Sequence, residues 1–301
     1  MSVSQPAENA LENMHLKQSH KKRLARLLDR LGGRFALGKM ATRYARRITG
    51  DDVEIRYCEG LWIHRAGPHF FPDGMRFDYV SGEFSRWKMQ ADEYFACTNE
   101  FWLQHYRPKK GDVIIDVGAG HGEDTLVFSR AAGETGRVIA VEAHPSSFAI
   151  LKSFCQLNGL RNVVPLHLAL MDRPGTVRVV ESESGWIMNT VENNGASGIK
   201  ATASTVDEIC REYDVTHVDF LKMNIEGSER YALLGMTSIM PKIDQICVAC
   251  HDFLSEQGHG EQFRTRAFVE GVLKQHGFTL ASRPDDPRDY VRDHVFGLRK
   301  A

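Results

Sequence analysis

The chain has 301 residues, 42% of them hydrophobic and 26% charged, enough to bury a sizeable core in one large domain with an extension. A formal net charge of −1 gives no global attraction to nucleic acid or to an anionic surface. No run is long enough for a membrane-spanning helix and the N-terminus lacks the apolar stretch of a signal peptide, so cytoplasm is the expected compartment.

The first fifteen residues carry no apolar periodicity. From 16 to 49 the charge is lopsided: Lys17, Lys21, Lys22, Arg23, Arg26, Arg30, Arg34, Lys39, Arg43, Arg46 and Arg47 stand against one acid, Asp29. Leu24, Leu27, Leu28 and Leu31 recur at helical spacing up to Gly32-Gly33, so this arm is expected as a basic amphipathic helix. Such a helix can lie on an anionic membrane surface, contact nucleic acid, or dock on the large domain with its charges solvated. Residues 52–84 change to short aromatic and β-branched runs with turns, which reads as a small antiparallel cap. Its Trp62, His64, His69, Phe70 and Phe71 either line an acceptor pocket or fill the cap's own core. Residues 1–93 are thus expected as an extension and 94–301 as the principal domain, led by an aromatic helix over 94–106.

The principal domain opens with the apolar strand Val113-Ile114-Ile115, then Asp116-Val117-Gly118-Ala119-Gly120-His121-Gly122. Glycines there let the backbone turn sharply and lie against a ligand. Residues 123–130 read as a helix with acids in its first turn, and Arg137–Val141 as a second strand ending in Glu142, placed to accept from both hydroxyls of a ribose. The alternation continues with a helix over 146–158, a strand over 163–169, a turn over 171–175, a mobile loop over 189–203, a helix resuming at 203–209, strands over 218–224 and 243–249, a helix over 262–275 and closing strands at 277–280 and 294–298. Cys247-Val248-Ala249-Cys250-His251 matches a haem-attachment spacing, but it falls on a buried strand and two cysteines and a histidine do not close a metal shell. The six cysteines are expected as thiols.

The G-x-G-x-G spacing departs from the dinucleotide fingerprint, and Glu123 and Asp124 would repel a pyrophosphate. A sulfonium nucleoside carries no phosphate, so the site reads as one for S-adenosylmethionine. Its expected contacts are Asp116, Gly118, Ala119, Gly120, Gly122, Glu142, Ala143 and Asn224, with Ala169, Leu170 and Met171 flanking adenine and Asp172 accepting from its amino group.

Three strings, residues 111–120, Val141-Glu142-Ala143-His144-Pro145, and Asp219-Phe220-Leu221-Lys222-Met223-Asn224-Ile225-Glu226-Gly227-Ser228-Glu229, resemble the FkbM-type family of S-adenosylmethionine-dependent methyltransferases. The resemblance runs from about Tyr94 to the late 290s. It implies an α/β, Rossmann-like class I methyltransferase fold: a central, mostly parallel sheet with helices on both faces and a C-terminal antiparallel hairpin. It also implies O-methylation of a hydroxyl on a small molecule, a secondary metabolite or a sugar.

A hydroxyl acceptor must lose a proton, so a base or a metal is needed. Glu226, His251 and Asp252 are candidate bases at strand ends, with His251 first because imidazole titrates near neutral pH. Where the family commonly has aspartate this chain has Asn224, which can orient a hydroxyl but cannot act as a base. Asn224, Glu226 and His251 leave a divalent metal possible but not required. Lys222 either contacts substrate or pairs with Glu226 or Glu229. The alternative to a small-molecule enzyme is a nucleic-acid-binding protein or RNA methyltransferase using the basic arm, and a homodimer is left open.

Overall fold

The structure, a computed structural model, describes residues 34–50, 52–58, 61–73, 95–182, 185–192 and 198–299. The chain forms two compact units, Met1–Glu93 and Tyr94–Ala301.

In the first unit, helix α1 (Arg34–Thr49) precedes strands β1 (Val53–Cys58), β2 (Leu61–Ala66) and β3 (His69–Asp73), which pair antiparallel in that order. Leu37, Ala41 and Ala45 recur every four residues and so lie on one helix face, packed against Val53, Ile55 and Trp62. Gly38 permits this contact, because a Cβ there would sit 2.9 Å from the Ile55 carbonyl. The opposite face keeps Phe35 and Met40 exposed beside the basic residues, so the described part of the arm packs on β1 and β2 of its own unit; residues 16–33 lie outside the described residues. Trp62, His64 and Phe71 are buried, with the His64 and Phe71 rings stacked at 5.2 Å and Tyr57 edge-on to Trp62 at 5.5 Å. These aromatics pack on one another within their own unit, and residues 74–84 of the expected cap lie outside the described residues.

The second unit is built on a seven-stranded sheet of β4 (Val113–Val117), β5 (Arg137–Glu142), β6 (Val163–His167), β11 (Val218–Met223), β12 (Ile243–Ala249), β13 (Thr279–Ala281) and β14 (His294–Leu298), ordered β13-β14-β12-β11-β4-β5-β6. The central strands are parallel, and β14 runs antiparallel to both β12 and β13. This is the α/β, Rossmann-like class I arrangement with the antiparallel C-terminal pair. Pro165 lacks an N–H, and β6 accordingly sits at the sheet edge.

Alternation along the strands divides the core. Ile115, Val117, Leu221, Met223, Ile246 and Val248 face α4 (Val206–Glu212), α5 (Glu229–Leu234) and α7 (Arg266–Gln275) in one continuous cluster. The other face is covered by α2 (Glu123–Ala132), α3 (Pro145–Leu157) and the helical segment 95–101 with the turns after it. There Phe220 lies between Tyr106, stacked at 5.0 Å, and Phe128 at 5.9 Å. Each fully buried side chain of this size contributes about 1.5–3 kcal/mol, so these two apolar layers dominate the stability.

Of residues 189–203, expected as a mobile loop, 189–192 and 199–203 are strand, and 193–197 lie outside the described residues. β8 (Gly175–Ser182), β9 (Gly185–Glu192) and β10 (Ile199–Ser204) join β7 (Ala169–Leu170) in a second, four-stranded sheet ordered β7-β10-β8-β9. Only every second residue of β10 is inward, Ala201 and Ala203, and such small side chains give little hydrophobic signal. The helix expected from residue 203 begins instead at Val206, because Thr205 caps it, its Oγ1 accepting from Glu208 N at 3.0 Å.

Candidate cofactor and acceptor site

Parallel strands of one sheet present their carboxyl ends together, and the ends of β4, β5, β11 and β12 carry Gly118, Glu142, Asn224 and Cys250-His251. The three glycines of the turn after β4 have different reasons to be glycine. All have positive φ, at 72°, 56° and 107° for Gly118, Gly120 and Gly122. A Cβ at Gly118 would fall 1.9 Å from the Asn224 carbonyl, and one at Gly122 2.9 Å from Leu151 Cδ1, so both positions are closed by packing. A Cβ at Gly120 would meet nothing within 4 Å. Open space on that side is what a turn laid against a ligand requires.

Glu142 is tied to the same turn. Gly120 N donates to its Oε2 at 2.9 Å and His144 N to its Oε1 at 2.8 Å. Burial pushes this carboxyl up, and those two backbone N–H groups pull it part of the way back. A carboxylate has about four acceptor sites, so two remain for a diol. Beyond β7, Asp172 keeps Oδ1 buried with no hydrogen-bond partner among the described residues, as an acceptor awaiting a donor would be. Ala143 is half-buried beside Glu142.

Five expected cofactor contacts are enclosed instead. Asp116 is wholly buried and serves Lys222, at 3.0 Å, and Thr125, whose Oγ1 donates to it at 2.6 Å. Ala119 is buried with its N–H committed to the Val141 carbonyl at 3.0 Å. Ala169, Leu170 and Met171 fill two separate apolar clusters beneath β10. Their apolar character came from sheet pairing, which the sequence pattern did not separate from ligand lining.

Lys222 is likewise interior, at 1% exposure. It pairs with neither Glu226 nor Glu229: Nζ lies 3.0 Å from Asp116 and 3.6 Å from Asp124, donates to the Gly118 carbonyl at 2.7 Å, and sits 5.1 Å from the Trp102 ring centroid. Burial opposes the Lys222 charge, and the two aspartates more than restore it, so its proton is held more tightly than usual. Lys222 therefore braces the glycine turn from behind, a positioning role and not a catalytic one. Asp124, invoked above as repelling a phosphate, is turned into this network and accepts from Thr98 Oγ1 at 2.6 Å, so its charge does not lie open at the turn.

Asp252 is a cap and not a base: its Oδ2 accepts from Thr265 N and Arg266 N, both at 3.0 Å, at the start of α7. Cys247 and Cys250 are fully buried, and burial pushes both thiols well up, as a core strand implies.

What remains at the ends of β11 and β12 is a polar group of unusual character. Asn224 holds its backbone N–H to Val117 O at 3.0 Å, and its half-buried side chain forms no hydrogen bond among the described residues. Glu226 has φ +39°, a left-handed conformation costly for a side-chain-bearing residue. Burial raises its carboxyl to about 8, eased by His251 and reinforced by the charges of Glu229 and Glu142. Glu226 thus feels both the β5 carboxylate and the β12 histidine. His251 is buried, and its Nδ1 lies 2.8 Å from Glu229 Oε1. Burial pulls this imidazole down, but the hydrogen bond and charge of Glu229, with Glu226 and Asp293 behind it, leave it net raised. In the sequence Glu229 stands as the last residue of the family-like string and as a partner for Lys222; nothing in a charge pattern indicates that a carboxylate is wholly enclosed.

The described His, Cys, Asp and Glu side chains converge as a possible three-ligand set only at His217, Asp219 and Asp244, at the opposite ends of β11 and β12. Asp219 there already accepts from Val113 N at 2.7 Å.

Residues 116–280, over half of the chain, match the methyltransferase FkbM domain. The chain belongs to this family. Its cofactor is S-adenosylmethionine, and the open Gly120 flank, the Glu142 carboxylate and the unpartnered Asp172 oxygen fit such a group. Over 144 residues the chain is 26% identical to the hexuronic acid methyltransferase AglP of Haloferax volcanii, covering 48% of this chain and 57% of that protein. Over 73 residues it is 29% identical to the catalytic subunit of a tRNA (adenine(58)-N(1))-methyltransferase of Yarrowia lipolytica, covering 24% and 19% respectively. The chain thus spans about a fifth of one relative and just over half of the other. Among solved structures it resembles the methyltransferase FkbM of Methylobacillus flagellatus at 15% identity and a TM-score of 0.46, over 73% of this chain and 53% of that one. No helix among the described residues is long and apolar enough to cross a membrane.

Proposed function

We propose that this FkbM-family protein is an O-methyltransferase acting on a hydroxyl of a small molecule, a secondary metabolite or a sugar. The observation that carries the reading is the group at the ends of β11 and β12: two titratable side chains shifted upward, Glu226 to about 8 and His251 above its ordinary value, beside the unpaired Asn224 amide. Acceptor chemistry at oxygen needs a proton acceptor near neutral pH. The resemblance to a hexuronic acid methyltransferase supports a hydroxyl-rich acceptor.

Glu142, Gly120, Ala143 and Asp172 would hold the cofactor, with Asn224 at its margin, while Gly118 and Gly122 shape the turn that presents Gly120. When bound, S-adenosylmethionine would supply an electrophilic methyl group open to in-line attack by an acceptor oxygen, with its sulfur leaving as the thioether. His251 takes the acceptor proton through Nε2, and Asn224 orients the hydroxyl through its amide. Glu226 is largely protonated at neutral pH, so it donates a hydrogen bond to the acceptor before it can accept a proton. Transfer of labelled methyl groups to a panel of sugars, uronic acids and phenols, with and without magnesium, tests this. An O-methylated product, lost in His251→Gln, is expected; with amines added to the panel, methylation confined to nitrogen or carbon would overturn it.

A second reading, RNA methylation, has in its favour the match to the tRNA-modifying subunit and the exposed basic face of α1. Unmodified tRNA belongs in the same panel, and methylation of it alone would favour that reading.

A further inference from the structure

We infer that Glu229 is the positioning residue of a buried carboxylate–imidazole pair, fixing His251 as its Nδ1–H tautomer so that Nε2 is the proton-accepting atom. The inference rests on the proposed role of His251 and deepens it.

Glu229 has no exposed surface, and its Oε1 lies 2.8 Å from His251 Nδ1. A carboxylate can only accept, so in the neutral ring the shared hydrogen is carried by Nδ1. The same oxygen accepts from Gly227 N at 3.1 Å, which ties the pair to the turn after β11 while the histidine follows β12. Gly227 has φ +91°, and a Cβ there would sit 3.1 Å from the Gln262 carbonyl, so the turn is closed on its far side. The second oxygen, Oε2, is buried with no hydrogen-bond partner among the described residues. A wholly enclosed carboxylate so sparsely bonded is costly to the fold, and positive charge on the ring hydrogen-bonded to it offsets that cost.

The proton step follows. The O–H bond of the acceptor breaks, its electron pair stays on oxygen, and the proton moves to Nε2, leaving an imidazolium facing the Glu229 carboxylate. The other charged or titratable groups facing this ring are Glu226 from the same turn, and Asp293 and His294 from the start of β14. Asp293, and Glu226 when ionised, favour the imidazolium and His294 opposes it, but among the described residues only Glu229 is hydrogen-bonded to the ring.

Long-range proton–nitrogen NMR of the imidazoles in the whole chain reads this without an acceptor. His251→Gln assigns the signals, and Glu229→Gln and Glu226→Gln are compared with the wild type. Wild-type His251 is expected as the Nδ1–H tautomer, titrating above ordinary imidazole. In Glu229→Gln its midpoint should fall by at least about one pH unit and both tautomers should be populated, while Glu226→Gln keeps the Nδ1–H form. A wild-type ring protonated on Nε2, or an unchanged tautomer and midpoint in Glu229→Gln, overturns the pair; the wild-type tautomer decides even if the variant does not fold. S-adenosylhomocysteine calorimetry on the same wild-type sample separates the two readings: failure to bind overturns the enzyme reading and the base role with it, whereas binding with an Nε2–H ring overturns the pair alone.

Discussion

Glu226 combines two costs in one residue, a left-handed backbone and a carboxyl whose burial raises it to about 8. Its folded-state affinity for a proton exceeds that of the unfolded chain, so between the ordinary glutamate range and about pH 8 the native state binds more protons. Stability from this residue therefore falls as pH rises through that window. Glu226→Gln is expected to raise the melting temperature at pH 9 by more than at pH 5, and Glu226→Gly to add about 1 kcal/mol more by relieving the positive φ. Thermal unfolding at the two pH values checks both; an equal effect at each would contradict the buried-carboxyl account. The turn glycines separate in the same way. Gly118→Ala places a Cβ against the Asn224 carbonyl and should cost at least about 2 kcal/mol in urea unfolding. Gly120→Ala should cost only about 1 kcal/mol, for its φ, yet weaken S-adenosylhomocysteine binding, because the side it fills is the open one.

At the scale of elements, the ends of β4 and β11 are held together by Lys222 between Asp116, Asp124 and the Gly118 carbonyl. Lys222→Met removes one charge and strands two, so a loss of about 3–5 kcal/mol is expected, with weaker cofactor binding through a loosened turn. Chemical denaturation and calorimetry of this variant check it, and unchanged stability would mean the aspartates find other partners. Such a network also marks the limit of sequence reading. The strand-to-turn boundary at Val117-Gly118, the β5 acid Glu142 and the order of strand and helix were legible, because apolar runs ending in glycine or acid have a local cause. The destinations of Asp116, Lys222 and Asp124 were not, since a charged residue on a strand looks the same whether it meets substrate or a buried partner. The β7–β10 sheet escaped for a related reason: Gly175, Ala201 and Ala203 have weak local preference and are strand through the pairing of β8 with β10, Gly175 opposite Ala203 and Val177 opposite Ala201. Glu229 was visible as a letter and not as a wholly buried one.

Across the whole molecule, every residue proposed for cofactor or acceptor belongs to the unit Tyr94–Ala301. Residues 94–301 alone are therefore expected to bind S-adenosylhomocysteine with the affinity of the full chain, by calorimetry; a loss of tenfold or more would place part of the site in the first unit. Ligand present at about a hundred times its dissociation constant should stabilise the fold by about 2.7 kcal/mol, seen as a rise in melting temperature. The measurement that tests the central claim most directly is calorimetric titration of the full chain with S-adenosylhomocysteine beside Glu142→Ala. Saturable one-to-one binding, weakened at least about tenfold in the variant by loss of charge-assisted hydrogen bonds, is the predicted result. No binding by the wild type, or equal binding by Glu142→Ala, would contradict the site at the carboxyl ends of β4 and β5.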